Sequence, residues 1–364
     1  MKYKQTKLKS TWARIRYFLA VLKCVLFKTN DIVICVLVVN NRCDFDCPYC
    51  FGSYHQRKNK DYTTAELKQL IDELYALGTR YLTLHGGEAL LRRDIGEIID
   101  YVKQKGMYCC LITNGSLLHK KIDQVRIVDN LTISLDGTKE HNDLNRGEGT
   151  YDKALSAIKL AIQEKIPLRV QATITTYTMN DVGYLAKLAK ELGFSLYFSI
   201  LFKALPNAKA FEMNDAETRT VLKEIRHYKN KGYPIFTSHH TLENGINWPL
   251  DHNTEHFVKR DEFEKKIPIH FKNKHHIKCH YGKNKMTIEA DGNVYPCFVT
   301  ADCFEPLNWK EVGIKKAIQH VQETDDCVAC PTLTQNDHNL LFNLKISFLA
   351  KVIFSQIKEV IRQK

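Results

Sequence analysis

Between residues 32 and 201, short apolar runs rich in β-branched residues alternate with longer helical patterns. The runs are almost continuously apolar, as expected for strands covered by helices on both faces. Six strands joined by five helices predict a parallel β/α sheet with right-handed crossovers. Such a sheet is about a quarter shorter than an eight-unit barrel. The predicted strands are Ile32–Val39, Tyr81–His85, Met107–Thr113, Leu131–Leu135, Leu168–Thr175 and Phe194–Leu201, and the predicted helices lie near Thr63–Leu77, Arg92–Lys105, Leu117–Val125, Tyr151–Gln163 and Asn180–Leu192.

Three cysteines follow the first predicted strand in the pattern C-x3-C-x2-C. They are Cys43, Cys47 and Cys50, and Tyr49 stands directly before the last of them. Three thiolates this close together suit an iron–sulfur cluster, which normally takes four Cys ligands. A cluster held by three thiolates leaves one iron open to another ligand. The alternative is a zinc site, which would need a fourth ligand in a closed tetrahedron, and His55 is the only local candidate.

The segment from Asn41 to Cys50 closely resembles the signature of the radical S-adenosylmethionine (radical SAM) enzymes. The resemblance implies that the amine and carboxylate of S-adenosylmethionine chelate the open iron of a 4Fe–4S cluster. One electron from the cluster then cleaves the sulfonium and releases a 5′-deoxyadenosyl radical, which abstracts hydrogen from a substrate. The resemblance also implies a partial (β/α)6 TIM-like barrel, an oxidoreductase or transferase activity, and an electron donor such as flavodoxin or ferredoxin.

Gly86-Gly87-Glu88 follows the second predicted strand. A double glycine lets the backbone approach a ligand closely, and a carboxylate can hold an ammonium group. Alone, the segment would be a tight turn with an exposed acid. The family resemblance implies that it binds the methionyl amine of S-adenosylmethionine, although Ala89 stands where the family usually has Pro.

Other strand ends carry further candidates for binding S-adenosylmethionine. Asn114 lies in a Thr-Asn-Gly triplet after the third predicted strand, where the family often has the same triplet. Ser134 and Asp136 end the fourth strand and resemble positions near the ribose and the methionyl carboxylate, although Asp-Gly is also a turn signal. Tyr49 is assigned to the same binding site.

A second group of cysteines lies near the C-terminus: Cys279, Cys297, Cys327 and Cys330. Met286–Glu289 and Asn293–Tyr295 are predicted to form a hairpin around an Asp-Gly turn, which would place Cys297 near Cys279. Four Cys would bind zinc as well as iron. The arrangement resembles the twitch domain, the shortened form of the SPASM domain, and so implies one auxiliary 4Fe–4S cluster. Cys303 is expected to stay free, and the alternative is that it replaces one of these four ligands.

These predictions give an α/β fold, a partial (β/α)6 TIM-like barrel with a small C-terminal α+β domain for the auxiliary cluster. The predicted segments are a basic amphipathic arm over 1–30, the barrel over 31–202, a connecting region over 203–278, the auxiliary-cluster domain over 279–335 and an amphipathic helix over 336–364.

The formal charge of +12 is concentrated in the arm, because the first thirty residues hold eight Lys or Arg and no acidic residue. Nucleic acid is therefore not an expected partner. The longest apolar run, Tyr17–Leu22, is too short to span a bilayer, which needs about twenty apolar residues. The pattern over Thr11–Lys28 instead predicts a helix in the membrane interface, with a substrate that is lipid-linked or delivered there. Leu340–Ile361 repeats the pattern, and for both segments the alternative is a helix that caps the barrel.

Twelve Cys without a recognisable signal peptide indicate reduced thiols in a cytoplasmic protein, peripheral on the inner face of the membrane. Two other functions remain open. One is a peptide- or sugar-modifying radical SAM/SPASM maturase or dehydrogenase. The other, from a different class, is a non-enzymatic zinc or iron–sulfur binding module.

Overall fold

The computed structural model describes residues 2–58, 60–201 and 206–344. Residues 345–364, which carry most of the predicted C-terminal amphipathic helix, lie outside the described residues. The strands are β1 Ile34–Val38, β2 Tyr81–His85, β3 Tyr108–Thr113, β4 Asn130–Ser134, β5 Leu168–Ile174, β6 Ser195–Ile200, β7 Val258–Lys259, β8 Lys285–Ile288, β9 Asn293–Tyr295, β10 Leu307–Asn308 and β11 Cys327–Ala329.

The helices are distributed along the described chain as follows: α1 Lys2–Phe27, α2 Thr64–Ala76, α3 Ile95–Gln104, α4 Leu118–Val125, α5 Lys139–Arg146, α6 Thr150–Gln163, α7 Val182–Leu192, α8 Asp215–Asn230, α9 His239–Ile246, α10 Arg260–Lys266, α11 Ile269–Lys274, α12 Trp309–Val312, α13 Ile314–Thr324 and α14 Leu333–Asn343. The six strands and five helices predicted for the barrel are therefore confirmed. Helix α5 is an additional helix between β4 and α6.

One sheet carries most of the strands, in the order β10-β9-β8-β1-β2-β3-β4-β5-β6. Strands β1 to β6 pair in parallel, with Ile34 opposite Tyr81 at the start of β1 and β2. The predicted hairpin is confirmed as β8 and β9, which pair antiparallel. Strand β8 also pairs in parallel with β1, placing Lys285 opposite Ile34. The hairpin therefore continues the sheet of the partial barrel.

Apolar side chains on the outer face of the sheet form the main core. Leu37, Leu84 and Leu111 are fully buried beneath the surrounding helices. Helix α3 shows the matching pattern, because it buries Ile95, Ile98, Ile99 and Val102 at the spacing of one helical face. Helix α2 begins at a capping box in which Thr63 accepts from the backbone of Glu66. The outer layer is thus the packed layer, and the inner face is left for polar residues.

Helix α1 packs against the N-terminal edge of the barrel. Tyr17, Val21 and Cys24 are buried in a cluster with Val33 and Ile34, at the start of β1. The capping alternative is therefore what the structure shows for α1. One apolar face of α1, for which the sequence predicted a place in the membrane interface, is therefore covered by protein. Among the described residues, no helix combines the length and the apolar character needed to cross a bilayer.

Candidate active site

Cys43, Cys47 and Cys50 lie on the loop that follows β1, at the C-terminal edge of the sheet. The loop is tightened by a hydrogen bond of 3.0 Å from the backbone N–H of Cys50 to the carbonyl of Cys47. The backbone N–H of Phe45 donates to the Cys43 sulfur over 3.4 Å. Burial raises the pKa of the Cys43 and Cys47 thiols to about 12. Both therefore hold their protons until a metal displaces them.

The Gly86-Gly87-Glu88 segment is bound directly to the chain that leads into the cysteine loop. The backbone N–H of Glu88 donates to the carbonyl of Arg42 over 2.7 Å. A Cβ atom on Gly87 would lie 2.2 Å from that carbonyl oxygen, and one on Gly86 would lie 2.3 Å from Oδ1 of Asn40. Glycine is therefore needed at both positions because the backbone passes close to the chain that leads into the cysteine loop. This constraint adds to the close approach of a ligand that the sequence predicted.

The carboxylate of Glu88 is buried and fixed in orientation. Oε1 accepts from the Thr113 hydroxyl over 2.7 Å and from the backbone N–H of Leu90 over 2.9 Å. Oε2 accepts from the backbone N–H of Asn114 over 2.7 Å. Burial raises the pKa of Glu88 to about 7, although these hydrogen bonds oppose the rise. Because its donors are all neutral, an approaching ammonium group would stabilise the charged form.

Asn114 connects the end of β3 to the cysteine loop. Its Nδ2 donates to Oδ1 of Asp44 over 2.8 Å, and the Ser116 hydroxyl donates to Oδ2 of Asp44 over 2.6 Å. Asp44 stands between Cys43 and Cys47 and is not among the site residues predicted from the sequence. Its position inside the cysteine motif was the only available signal.

Asp136 is completely buried, and its carboxylate is surrounded by protein donors. Arg146 binds it in a bidentate ion pair, with Nε and Nη2 at 2.7 and 2.9 Å. The Tyr49 hydroxyl donates over 2.7 Å, the backbone N–H of Thr173 over 2.8 Å and Nδ2 of Asn145 over 3.0 Å. In this structure Asp136 holds Tyr49 and α5 in place, while contact of Asp136 with S-adenosylmethionine stays a prediction.

Polar side chains line the inner face of the barrel below the cysteine loop. Ser134 ends β4 opposite Gln171 of β5, and Thr173 lies opposite Ser199 of β6. His85, at the end of β2, has a buried Nδ1 with no hydrogen-bond partner among the described residues. Burial lowers the pKa of His85 to about 4, so its ring is neutral at physiological pH.

The second group of cysteines converges on one cavity. Cys279, Cys297, Cys327 and Cys330 line it together with Tyr281 and Asp325. The backbone N–H of Val299 donates to the Cys297 sulfur over 3.4 Å, as that of Phe45 does to Cys43. Cys303 is exposed, and its Sγ donates to the carbonyl of Thr300 over 3.3 Å.

Both groups of cysteines have the donor chemistry of a cluster site. Thiolate ligands with backbone N–H groups aimed at sulfur are the environment that sets cluster potentials in iron–sulfur proteins. Within the described ranges, no three His, Cys, Asp or Glu side chains are placed as ligands of a single metal ion.

The two cysteine sites are joined through Glu289, which follows β8. Its carboxylate accepts from the Tyr54 hydroxyl over 3.2 Å and from Nη1 of Arg57 over 2.8 Å. Tyr54 and Arg57 lie on the segment that continues from Cys50. A short polar bridge therefore connects the segment after the cysteine loop to the strand that leads towards the second site.

Comparison with known protein families matches residues 37–192 to the radical SAM superfamily. The matched segment contains the cysteine loop, Gly86-Gly87-Glu88 and Asp136. The fold and the positions of these residues agree with the match, and residues 37–192 form a radical SAM domain.

Two curated proteins illustrate the relationship. The chain is 28% identical over 212 residues to Fe-coproporphyrin III synthase of Methanosarcina barkeri, covering 54% of this chain and 52% of that protein. It is 30% identical over 159 residues to the mycofactocin maturase MftC of Mycobacterium tuberculosis, covering 42% of this chain and 41% of that protein. The chain therefore spans about half the length of the curated relatives it matches.

Among solved structures, the chain is similar to Streptococcus suis SuiB bound to S-adenosylmethionine, with a TM-score of 0.62 at 14% identity. The similarity covers 82% of this chain and 70% of that chain. At this level of identity the likeness shows the fold, which extends beyond the radical SAM domain itself.

Proposed function

We propose that this chain reductively cleaves S-adenosylmethionine at a 4Fe–4S cluster held by Cys43, Cys47 and Cys50. The observation that carries the proposal is the position of these three thiols. They lie on one loop at the C-terminal edge of the barrel, and the carbonyl of Arg42, directly before Cys43, accepts from the backbone N–H of Glu88. In parallel β/α folds this edge carries the chemistry.

When bound, the cluster and S-adenosylmethionine would supply a 5′-deoxyadenosyl radical that abstracts hydrogen from the substrate, with the electron coming from a donor such as flavodoxin or ferredoxin. The residues supply binding, orientation and exclusion of water. Glu88 is proposed to hold the methionyl amine, since its carboxylate is fixed and lacks a cation. The remaining proposed contacts with S-adenosylmethionine are Tyr49, Gly86, Gly87, Asn114, Ser134 and Asp136.

The cavity lined by Cys279, Cys297, Cys327 and Cys330 is proposed to hold one auxiliary 4Fe–4S cluster. Its convergence of four thiols supports the proposal. The connection through Glu289 places this cavity beside the barrel, where an auxiliary cluster could accept an electron from a product radical or ligate the substrate. A structural zinc site is the alternative for the same ligands.

A single triple variant tests both clusters. Replacing Cys43, Cys47 and Cys50 together by Ala should abolish 5′-deoxyadenosine formation under dithionite, because no nearby thiol can substitute. The same variant, reconstituted anaerobically, should still carry about four iron, against about eight in the wild type. Cys303→Ala should leave the iron content unchanged. A triple variant free of iron and loaded with zinc would contradict the auxiliary cluster, whereas retained turnover would contradict the catalytic assignment.

The inner face of the barrel favours a substrate with hydrogen-bonding groups at its reacting centre. The polar side chains on this face, which line the lumen below the cysteine loop, include Ser134, Gln171 and Ser199. A peptide or a sugar meets that requirement. SuiB, which shares the fold, has been crystallised with its precursor peptide SuiA. We therefore place a peptide or sugar substrate ahead of a lipid-linked one.

A peripheral membrane contact is proposed separately, through the outer face of α1. Although one face of this helix is buried on the barrel, Trp12, Leu19, Leu26 and Phe27 remain exposed. Exposed Arg16 and Lys23 alternate with them, which is the composition of an interfacial helix. This face lies at the edge opposite the cysteines. A membrane bound there would leave the active-site edge facing away from the bilayer, which argues against a lipid-linked substrate.

A further inference from the structure

Lys285 is a buried cation without an acidic partner among the described residues. It begins β8 and is only 4% exposed. Its Nζ donates to the Tyr281 hydroxyl and, over 2.7 Å, to Nδ1 of His338. Both partners are neutral acceptors. A buried ammonium is costly unless an anion accompanies it, so the position lacks the negative charge that would normally justify a lysine.

The cavity lined by the second group of cysteines would supply that negative charge once its thiols are deprotonated as metal ligands. Tyr281, which holds the ammonium, lines this cavity and packs against Cys279 and Cys297. Burial lowers the pKa of Lys285 to about 7, and ionised Cys297 and Cys279 would oppose the drop. Lys285 is thus positioned one side chain away from the proposed cluster.

We propose that Lys285 is the counter-charge of the auxiliary cluster and raises its reduction potential. The inference rests on the proposed function, because it requires a cluster at Cys279, Cys297, Cys327 and Cys330. Four thiolates outweigh the positive charge of an iron–sulfur core, so the ligated cluster is a net anion. Reduction adds another electron, and a fixed cation nearby stabilises the reduced form more than the oxidised form.

The surroundings of Lys285 make this effect strong. The ammonium is held between Tyr281 on the hairpin side and His338 on α14, so it cannot swing into solvent. Burial excludes the water and salt that screen surface charges. Burial lowers the pKa of His338, and Lys285 and Arg169 lower it further, so the His338 ring stays neutral beside the ammonium of Lys285. Lys285 therefore acts indirectly, through the reduction potential of the proposed cluster.

The test measures the potential of the auxiliary cluster in full-length protein, with Cys43, Cys47 and Cys50 replaced by Ala so that only one cluster is present. A redox titration, monitored by electron paramagnetic resonance, compares this parent protein with its Lys285→Met and Lys285→Arg variants. We expect Lys285→Met to lower the ratio of reduced to oxidised cluster at least tenfold at a fixed potential, which corresponds to about 59 mV for one electron. Lys285→Arg should keep most of the original ratio.

Lys278→Met is the matched control. Lys278 is the chain neighbour of Cys279 but is exposed, so solvent screens its charge and its loss should move the ratio much less. Replacing Lys285 by methionine, which has a similar volume, should not prevent folding, because it removes a buried charge that, among the described residues, has no ionic partner to lose. Tyr281→Phe provides a second variant that keeps the ring but releases the ammonium, with a smaller shift in the same direction.

An unchanged potential in Lys285→Met, with full iron content, would overturn this inference and leave the proposed cluster intact. Equal shifts in Lys285→Met and Lys285→Arg would also overturn it, because they would show an effect of packing instead of charge. If the parent protein holds no iron at the second site, the auxiliary cluster itself fails, and the role of Lys285 fails with it. Iron analysis before the titration separates these results.

Discussion

Two buried carboxylates at neighbouring strand ends are held by different partners. Glu88 accepts only from neutral donors, namely two backbone N–H groups and a hydroxyl. Asp136 accepts from the guanidinium of Arg146 in a bidentate pair. Glu88 is therefore available for an incoming cation, whereas Asp136 already has one. The difference supports the proposal that Glu88 binds the methionyl amine, and it explains how Asp136 holds Tyr49 in place.

Asp136→Asn should destabilise the protein strongly. The amide keeps the shape of the side chain but leaves the Arg146 guanidinium buried without an anion. Breaking a buried pair in this way costs about 3–5 kcal/mol. Denaturant unfolding of the metal-free protein measures the loss. Asp152→Asn removes a carboxylate from an ion pair with Lys139 that is about 60% exposed on both sides, and it should leave the unfolding midpoint unchanged. Similar midpoints for the two variants would show that the Arg146 pair contributes little.

Binding of S-adenosylmethionine should weaken as the pH falls below about 7. Burial raises the pKa of Glu88 to about 7, so the protonated carboxyl predominates at lower pH and cannot pair with an ammonium group. The expected loss approaches tenfold per pH unit. Calorimetric titration of the reconstituted protein between pH 6 and 8 measures it. Glu88→Gln should bind more weakly and show a flat pH profile, while exposed Glu140→Gln should behave as the wild type.

Ionisation of Glu88 also affects the stability of the ligand-free protein. The carboxyl of Glu88 has a pKa of about 7 when folded and an ordinary value of 4.5. The folded protein therefore holds a proton that the unfolded chain has released between these values. This contribution to stability is fully present below about pH 4.5 and is lost as the pH rises towards about 7. If the wild type instead gains stability relative to Glu88→Gln as the pH rises from about 4.5 to about 7, the result would contradict the burial of this carboxyl.

The sequence predicted the residues of the site where the signal was local. Cys43, Cys47 and Cys50 form a compact motif whose spacing alone indicates a cluster. The partners of Asp136 were not predictable in this way, because Tyr49 lies 87 positions away from it and Arg146 lies on an unpredicted helix. The supporting role of Asp44 was also missed, since its contacts with Asn114 and Ser116 span 70 and 72 positions.

At the scale of elements, the predicted strands and helices of the barrel agree with the structure to within a few residues at their ends. The exception is α5, Lys139–Arg146. Its buried positions are Asn142 and Asn145, so the helix carries no apolar face for a periodicity analysis to detect. These amides instead bind the backbone N–H and the carboxylate of Asp136. A helix that buries polar groups at a site is invisible to hydrophobic patterning.

Helix α1 shows a second limit of sequence patterning, because an apolar helix face does not reveal what covers it. The structure places Val21 in a buried cluster at the N-terminal edge of the barrel, and leaves Leu19 about half exposed. Val21→Ala should therefore lower the free energy of unfolding by about 2 kcal/mol, from two lost methyl groups and the cavity they leave. Leu19→Ala should change it by less than about 0.5 kcal/mol. Equal effects in chemical denaturation would mean that α1 does not pack on the barrel.

At the scale of the whole molecule, the hairpin between Cys279 and Cys297 is part of the barrel sheet, whereas Cys327 lies on β11, which pairs with β7 in a separate sheet. The sequence predicted a hairpin for the auxiliary site but could not show that β8 pairs with β1, since that pairing joins segments about 250 residues apart. Glu289 connects the hairpin to Tyr54 and Arg57, on the segment that follows the cysteine loop. The molecule also has two distinct ends, because the cysteines lie at the C-terminal edge of the strands and α1 covers the N-terminal edge.

This arrangement decides how a membrane contact should be tested. A variant that begins at Asn30 would lack Val21 and the rest of the packed face of α1. Weaker binding of that variant to vesicles could therefore reflect unfolding. The variant Trp12→Glu/Leu19→Glu/Phe27→Glu changes only exposed side chains.

The full-length protein should float with anionic vesicles at low salt, because each Lys or Arg near the surface contributes about 1 kcal/mol and the exposed aromatic side chains enter the interface. The triple variant should float clearly less at the same thermal stability, and raised salt should weaken both. If wild type and variant both stay at the bottom of the gradient, α1 serves only as a cap of the barrel. The polar lumen would then be the remaining guide to the substrate, and a peptide or sugar would be delivered from solution to the exposed C-terminal edge.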